Sequence, residues 1–232
     1  GAADAKSLDQ YIAEHPFSPQ EATLRVTANL FDVASLQEQY NKIKASNLHS
    51  IGTAGRLYYG QDNKIQFKID GDLRPIMRYP HRKDDDKTGA IVMYEAPYKN
   101  QNQQVPHNLY VLCHDPYGQN QSADSMSLGS AYIIKRVNNI SQPDDMIVAS
   151  YVGRPHTQDE YNKNLFMLAD YYNCKIGFEN DRGEVIAYAK RHRKMHRLQE
   201  EFEMLDKKEL RSKTVKRQYG MHMTEARKRQ GE

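Results

Sequence analysis

Two acidic residues, each placed just after a short apolar run, have types and positions that could support catalysis. Asp115 closes the run that begins at Leu109, and Glu179 follows the run that ends at Phe178. Two carboxylates at the ends of neighbouring buried strands repel each other unless one keeps a proton or both bind a hard cation. Alternatively, Asp115 only begins an Asp-Pro-Tyr-Gly turn and Glu179 only caps the helix that follows.

A divalent cation is the simplest way to offset that repulsion. Mg²⁺ and Mn²⁺ prefer carboxylate and water oxygens as ligands. Two such ions about 4 Å apart can activate a water molecule and stabilise the leaving oxygen during phosphodiester cleavage. Asp115 and Glu179 are therefore the candidate catalytic residues and ligands of a two-metal site.

The segments between the two acids predict how they come together. Apolar runs at 109–113, 130–137 and 146–152 are joined by short loops, which predicts an antiparallel meander. The capping box Thr157-x-x-Glu160 then opens a helix with a buried stripe of Tyr161, Leu165, Leu168, Ala169 and Tyr172. A strand that returns through a helix lies parallel to the first strand, most simply beside it. Asp115 and Glu179 should then be neighbours, although they are 64 positions apart in the sequence.

The chain as a whole predicts an α/β protein in three segments. Residues 1–50 are expected to be a helical connector, with helices starting near Ser7 and Ser18 and a third running through Leu36, Tyr40 and Ile43. Residues 51–105 are expected to be a small β-rich segment. Residues 106–232 form the core that carries the two acids. A helix that starts at Gly183 is expected to continue into the basic segment.

The net charge of +3 hides an uneven distribution. The basic segment, residues 190–232, holds 14 Lys and Arg against 7 Asp and Glu, so the preceding residues carry a net charge of −4. Such a segment suits a polyanionic partner, although its glutamates also fit a solvated helix. No run approaches 18 apolar residues, which excludes a membrane protein. Two cysteines in 232 residues exclude a disulfide scaffold.

A series of motifs along the chain resembles one known family. In order they are Tyr110–Gly118, Asp124, Ala131–Ile134, Val148–Pro155, Asp170–Asn173 and Ile176–Asn180. Together they are similar to the nuclease domain of the large terminase subunit of tailed bacteriophages. Upstream, Glu14–Ala22 resembles the segment where the ATPase domain of that family ends.

The resemblance implies a fold and an activity. The fold would be a ribonuclease H-like mixed β-sheet, with three antiparallel strands plus parallel strands, flanked by helices. The activity would be a metal-dependent endonuclease that uses Mg²⁺ or Mn²⁺ to cut concatemeric double-stranded DNA during genome packaging. The implied partners are double-stranded DNA, the phage portal, the small terminase subunit and the protein's own upstream ATPase domain. The implied location is the cytoplasm of a bacterial host, with the gene carried by a phage or prophage.

Carried over by position, Asp115 matches the family's first-strand metal aspartate and Glu179 matches its fourth-strand acid. Asp124 matches an acid often present after the first loop, although an ordinary loop aspartate explains it as well. Asp181 is an auxiliary candidate only. The basic segment is expected to position the duplex through Lys190, Arg191, Arg193, Lys194, Arg197, Lys213, Lys216 and Arg217.

The sequence also departs from the family pattern. The family uses a third acidic ligand on a later helix, and Asp206, the last aspartate of this chain, comes too early for that role. We therefore expect a nuclease core that is truncated at its C-terminus, in which a missing ligand weakens metal binding and could abolish cleavage. No Gly-Lys dipeptide occurs in the sequence, so a phosphate-binding loop and an ATP site are not expected.

Other readings of the same residues remain open. His192 and His196 would share a face of a helix, with Glu200 one turn further, which could hold zinc, but an exposed basic helix explains them better. Cys113 and Cys174 are expected to be small buried residues. The alternative functions are another ribonuclease H-like nuclease, of the resolvase or transposase type, and a non-catalytic DNA-binding or portal-docking module.

Overall fold

The computed structural model describes residues 33–45, 52–76, 85–117, 127–180, 183–204 and 218–222. The helices expected near Ser7 and Ser18 lie outside these residues. The chain divides into two units, one made of residues 1–51 with 230–232 and the other of residues 52–229. In the first unit, helix α1 spans Val33–Ala45, which confirms the helix expected through Leu36 and Tyr40.

The second unit is an α/β structure around one mixed open sheet. Within the described residues the sheet has seven strands in the order β2-β1-β3-β6-β5-β4-β7. Strands of the 51–105 segment and strands that follow residue 106 all belong to it. The strand bounds are β1 Thr53–Tyr59, β2 Ile65–Ile69, β3 Ile91–Met93, β4 Tyr110–Asp115, β5 Gly129–Lys135, β6 Met146–Gly153 and β7 Ile176–Phe178.

The pairing of the last four strands confirms the predicted topology. β5 lies antiparallel between β4 and β6, which forms the expected meander. β7 pairs with β4 in parallel, and Leu112 lies opposite Ile176 while His114 lies opposite Phe178. Short loops permit antiparallel neighbours, whereas the connection from β6 to β7 runs through a helix.

That connecting helix, α2, spans Gln158–Tyr171. Thr157 caps it as predicted, because its Oγ1 accepts a hydrogen bond of 3.1 Å from the Glu160 backbone N–H. The predicted apolar stripe is confirmed, since all five of its side chains are fully buried: Tyr161, Leu165, Leu168, Ala169 and Tyr172. They pack with the inward residues Leu112 of β4 and Ile133 of β5 in one core.

The helix after β7 is shorter than the sequence predicts. Helix α3 spans Glu184–Arg191, and His192 is its C-cap. Arg193 then takes a left-handed conformation with φ 55°, and the Lys194 N–H donates to the Ala189 carbonyl over 2.8 Å. This pattern is a Schellman motif, which ends a helix. The expectation of a helix that continues through the basic segment is therefore wrong beyond Arg191.

Short elements follow α3. A 3₁₀ turn covers Met195–Arg197, and the four-residue helix α4 covers Glu201–Met204. His192 and His196 consequently do not share one helix, so the arrangement required by the zinc alternative is not present. Among the helices that the structure describes, none has both the length and the apolar character needed to cross a membrane.

Candidate active site

Asp115 and Glu179 meet at the carboxyl ends of β4 and β7. Asp115 is the last residue of β4, and Glu179 directly follows β7. The parallel register pairs His114 with Phe178, so the next step along both strands places Asp115 beside Glu179. Neighbouring strands lie about 4.8 Å apart. The two carboxylates therefore start from adjacent positions on the same face of the sheet.

The surroundings of the two carboxylates differ. Asp115 is exposed, whereas Glu179 is half-buried. Glu179 also forms a parallel bridge with Met221, whose N–H donates to the Phe178 carbonyl over 2.8 Å. The backbone that carries Glu179 is thus held between β4 on one side and residues 218–222 on the other.

Residues 218–222 were not assigned a role from the sequence. Asn180 donates its side-chain N–H to the Tyr219 carbonyl over 2.8 Å, and its own backbone N–H donates to the Met221 carbonyl over 2.8 Å. Gly220 has a φ of 74°, and a Cβ there would lie 2.7 Å from the Phe178 ring. The sequence feature that could have indicated this contact is Gly220, a glycine between the larger residues Tyr219 and Met221.

A buried histidine lies directly behind Asp115. His114 is on the opposite face of β4, is 5% exposed, and stacks on Tyr161 with ring centroids 5.4 Å apart. Its Nδ1 lies 2.9 Å from the Ser130 carbonyl oxygen. Because a carbonyl can only accept, Nδ1 carries the proton. Burial lowers the pKa of His114 to about 4, so the ring is neutral at pH 7.

Tyr161 connects that histidine to two further tyrosines. Tyr161 stacks on Tyr151 at 4.8 Å and meets the edge of Tyr117 at 5.3 Å. Burial raises the pKa of Tyr117 to about 12, so its hydroxyl stays protonated at neutral pH. Gly129 leaves room for the cluster, because a Cβ there would lie 2.6 Å from Tyr161 Cζ. The rings of His114 and the three tyrosines are therefore closely packed and neutral at pH 7.

Three polar atoms of this cluster have no hydrogen-bond partner among the described residues. They are Nε2 of His114 and the hydroxyl oxygens of Tyr117 and Tyr161. Buried polar atoms in this situation are usually satisfied by ordered water or by a bound group. The sequence indicated Tyr161 only as a core residue, and nothing in its spacing indicated the polar cluster.

Arg154 lies at the same end of the sheet strands as Asp115. In the sequence it stands out only as part of the Val148–Pro155 motif. It follows the last residue of β6, and its guanidinium carbon lies 4.9 Å from the centre of the Tyr117 ring. Its Nη1 donates to the Ser127 carbonyl over 2.8 Å. A lone arginine directly after a buried strand was the signal that could have identified it.

Two of the predicted DNA-binding cations share one partly buried carboxylate, that of Asp170. Lys194 Nζ lies 2.5 Å from Asp170 Oδ2, and Arg197 Nε lies 2.6 Å from Asp170 Oδ1. Arg197 also donates to the Asn173 side chain over 3.0 Å. Both cationic side chains are 20% exposed. They hold the end of α2 against the segment that follows α3.

The other predicted cations of this segment are on the surface. Arg191 pairs with Asp159 at 2.5 Å, and both side chains are more than half exposed. Lys190 and Arg193 are exposed as well. These residues lie at or just beyond the C-terminal end of α3. The helix has eight residues, so this end is about 12 Å from Glu184 at its start. Further predicted contacts lie outside the described residues: Lys213, Lys216 and Arg217.

The structure brings together two of the four acids considered as metal ligands. Asp115 and Glu179 are adjacent, whereas Asp124 and Asp181 lie outside the described residues. In the part of the chain that the structure describes, no group of three or more His, Cys, Asp and Glu side chains could hold a metal ion. The donor chemistry of the Asp115–Glu179 pair, two carboxylates on neighbouring strand ends, fits Mg²⁺ or Mn²⁺.

The two cysteines differ in their exposure to solvent. Cys174 is buried as predicted, and burial raises the pKa of its thiol to about 12. Cys113 is exposed, so its predicted burial is wrong. It points to the same face as Asp115, two residues further on, while the intervening His114 faces the core. Both thiols are free.

Comparison with protein-family models, curated proteins and solved structures finds no match for this chain. The resemblance to the terminase nuclease therefore stays a prediction that rests on the motifs quoted from the sequence. The pairing of β4 with β7 is independent of that resemblance, because it is observed in the fold and does not depend on the motifs.

Proposed function

We propose that this protein is a metal-dependent DNA endonuclease domain of the terminase large-subunit type. The observation that carries the proposal is the parallel pairing of β4 and β7, which sets Asp115 beside Glu179. The carboxyl ends of parallel strands are a common place for catalytic side chains, because both strands end at the same side of the sheet.

The proposed fold is ribonuclease H-like. The sheet order β6-β5-β4-β7, a meander followed by a parallel strand beside its first member, is compatible with that fold. The capped crossover helix α2 covers one face of the sheet, as the proposal requires. The assignment to this fold rests on the strand order together with the motifs in the sequence.

Asp115 and Glu179 would hold the metal. Bound there, Mg²⁺ or Mn²⁺ would activate water for attack on a DNA phosphodiester and stabilise the leaving oxygen. The chain itself fixes the two carboxylates on hydrogen-bonded strands, with Glu179 held also by its bridge to Met221. The neutral His114 and the protonated Tyr117 behind them bring no competing charge to the edge.

The proposed substrate is double-stranded DNA, bound mainly through its phosphates. Among the described cations of the basic segment, Lys190 and Arg193 are exposed and suited to that contact. Lys194 and Arg197 are held by Asp170, so their contribution would be indirect. The portal, the small terminase subunit, an upstream ATPase domain and the host cytoplasm remain part of the proposal through the family resemblance.

Plasmid nicking with Mn²⁺ tests the proposal. The wild-type protein should cleave slowly, because the third acidic ligand of the family is expected to be missing, and Asp115→Asn or Glu179→Gln should reduce that rate at least about 100-fold. Asp72→Asn, which changes an exposed carboxylate after the edge strand β2, is the matched control and should keep the wild-type rate. Undiminished cleavage by Asp115→Asn would show that the assignment is wrong.

Calorimetric titration with Mn²⁺ provides a readout that does not depend on cleavage. We expect the wild-type protein and Asp72→Asn to bind the ion, and Asp115→Asn to bind it at least tenfold more weakly. If the wild-type protein binds DNA but neither binds Mn²⁺ nor cleaves, a non-catalytic DNA-binding module is the better description.

A further inference from the structure

We propose that His192 ends a stack of rings that binds an unpaired base of single-stranded nucleic acid. The inference goes beyond the proposed function, because its ligand has unpaired bases and its contacts include neither Asp115 nor Glu179. The sequence indicated His192 only as part of an exposed basic helix or of a zinc site. The structure gives this histidine a partner that neither interpretation included, the ring of Tyr188.

Three rings stack in series from the core to the surface. Phe166 of α2 is fully buried and stacks on Tyr188 of α3, with ring centroids 5.3 Å apart and an interplanar angle of 26°. Tyr188 is 6% exposed and stacks in turn on His192, with centroids 4.1 Å apart and an angle of 28°. His192 itself is exposed. The last ring of the series therefore presents aromatic surface to solvent.

The backbone holds His192 in place before any ligand binds. His192 is the C-cap of α3, and its N–H donates to the Tyr188 carbonyl over 3.0 Å. The next hydrogen bond of the same Schellman motif, from the Lys194 N–H to the Ala189 carbonyl, closes the turn that follows. A ring that is already ordered loses less conformational entropy on binding.

Cations flank the exposed ring. Lys190 lies two positions before His192 and Arg193 one position after it, and both side chains are exposed. Neither pairs with a carboxylate among the described residues, whereas the other two cations of this run are paired with Asp159 and Asp170. The positive charge available to phosphates beside the ring therefore comes from Lys190 and Arg193.

An exposed ring with flanking cations fits an unpaired strand better than a duplex. Inside a duplex the bases cover one another's faces, so a protein ring can stack only on a base that is unpaired. Proteins that bind single strands combine aromatic side chains, on which bases stack, with cations that contact the phosphates. Because every base has a face that can stack, we expect little sequence preference.

A second exposed ring lies beside the same segment. Tyr59, the last residue of β1, is 46% exposed, and Lys194 Nζ donates to its hydroxyl over 3.4 Å. Tyr59 is therefore the candidate for stacking a further base of the same strand.

Fluorescence anisotropy of a labelled oligothymidylate, measured in EDTA, tests the role of His192. His192→Ala should weaken binding about tenfold, because it removes the stacking surface. His192→Phe keeps a flat ring without a titratable nitrogen and should retain most of the affinity. His107→Ala, which removes an exposed histidine that precedes β4, is the matched control and should bind like the wild-type protein. Equal affinity of His192→Ala and the wild-type protein would overturn the proposal.

Changing the ligand separates stacking from charge. An abasic strand of the same length keeps the phosphates and lacks the bases, so the wild-type protein should bind it at least about tenfold more weakly. His192→Ala and the wild-type protein should bind this abasic strand equally, and they should also bind a duplex equally. If His192→Ala loses the same affinity for the duplex or the abasic strand as for oligothymidylate, stacking on a base is not the cause. Thermal unfolding of each variant checks that the fold is kept.

The outcomes distinguish this proposal from the proposed function. If Asp115→Asn abolishes cleavage while His192→Ala binds the single strand like the wild-type protein, the endonuclease stands and the stacking site is wrong. If the wild-type protein does not cleave but His192→Ala loses affinity for the single strand alone, the stacking site stands and the endonuclease is wrong.

Discussion

Lys135 forms a buried ion pair with Glu95 across the sheet. Lys135 Nζ lies 2.7 Å from Glu95 Oε1, and the side chain of Lys135 is fully buried while that of Glu95 is 30% exposed. The backbone carbonyl of Glu95 in turn accepts a hydrogen bond from the Tyr172 hydroxyl. A buried ammonium with one described carboxylate partner makes the fold depend strongly on that partner.

Removing Glu95 should therefore cost more than removing Lys135. Glu95→Ala leaves a buried positive charge unpaired, and we expect a loss of about 3 kcal/mol in the free energy of unfolding. Lys135→Met removes the charge with similar volume and should cost less than half as much. Urea unfolding measures both. A larger loss for Lys135→Met would contradict this account of the pair.

Asp170 should contribute more to stability than a surface carboxylate of the same kind. Asp170→Asn weakens two partly buried ion pairs, with Lys194 and Arg197, and should lower the free energy of unfolding by about 1–2 kcal/mol. Asp159→Asn breaks only the exposed pair with Arg191 and should cost less than about 0.5 kcal/mol. Urea unfolding of both variants is the measurement, and equal losses would count against the structural role given to Asp170.

The same ion pairs predict a loss of stability at alkaline pH. Burial lowers the pKa of Lys194, but the hydrogen bond and charge of Asp170 outweigh it and hold the pKa above the ordinary 10.5. A raised folded-state pKa stabilises the fold below pH 10.5, and this contribution is lost as the pH rises through the raised value. The unfolding free energy should thus fall more steeply above pH 10.5 in the wild-type protein than in Asp170→Asn. Parallel curves would contradict the assignment.

Local patterns were sufficient to predict the sheet around the candidate site. The apolar run that forms β4 and the Thr157 cap of α2 are determined by neighbouring residues, although the outward position of Cys113 was not predicted. The parallel return of β7 follows from chain connectivity, because a helix-length crossover leaves few other positions. The adjacency of Asp115 and Glu179 could be predicted for that reason.

The other features of the structure near the candidate site depend on contacts that no local sequence pattern encodes. The end of α3 was missed because an arginine, Arg193, occupies the left-handed position where glycine is the usual signal. Lys194 and Arg197 look like free cations in the sequence, and only the fold brings Asp170 between them. The stacking of Arg154 on Tyr117 likewise joins residues from two loops.

His114 should make the protein sensitive to mild acid. Its pKa is lowered from 6.5 to about 4 by burial, so between these values the unfolded chain binds a proton that the folded protein does not. The stabilisation is present above pH 6.5 and is lost as the pH falls towards 4, by about 3 kcal/mol in total. His114→Phe should lose correspondingly less stability over the same range in denaturant unfolding at several pH values. Identical acid dependence of the two proteins would rule out His114 as the cause.

The Asp115–Glu179 pair predicts that Mn²⁺ reverses the order of thermal stability of the wild-type protein and Asp115→Asn. In EDTA the two carboxylates repel each other, so Asp115→Asn should melt at or slightly above the temperature of the wild-type protein. With Mn²⁺ at 100 times its dissociation constant, binding adds about 2.7 kcal/mol to the wild-type protein, or roughly 5–10 °C. Asp115→Asn should lose most of that gain, and Asp72→Asn should keep it. Thermal scans with and without Mn²⁺ measure the reversal, and a metal-induced rise in Asp115→Asn equal to that of the wild-type protein would exclude Asp115 as a ligand.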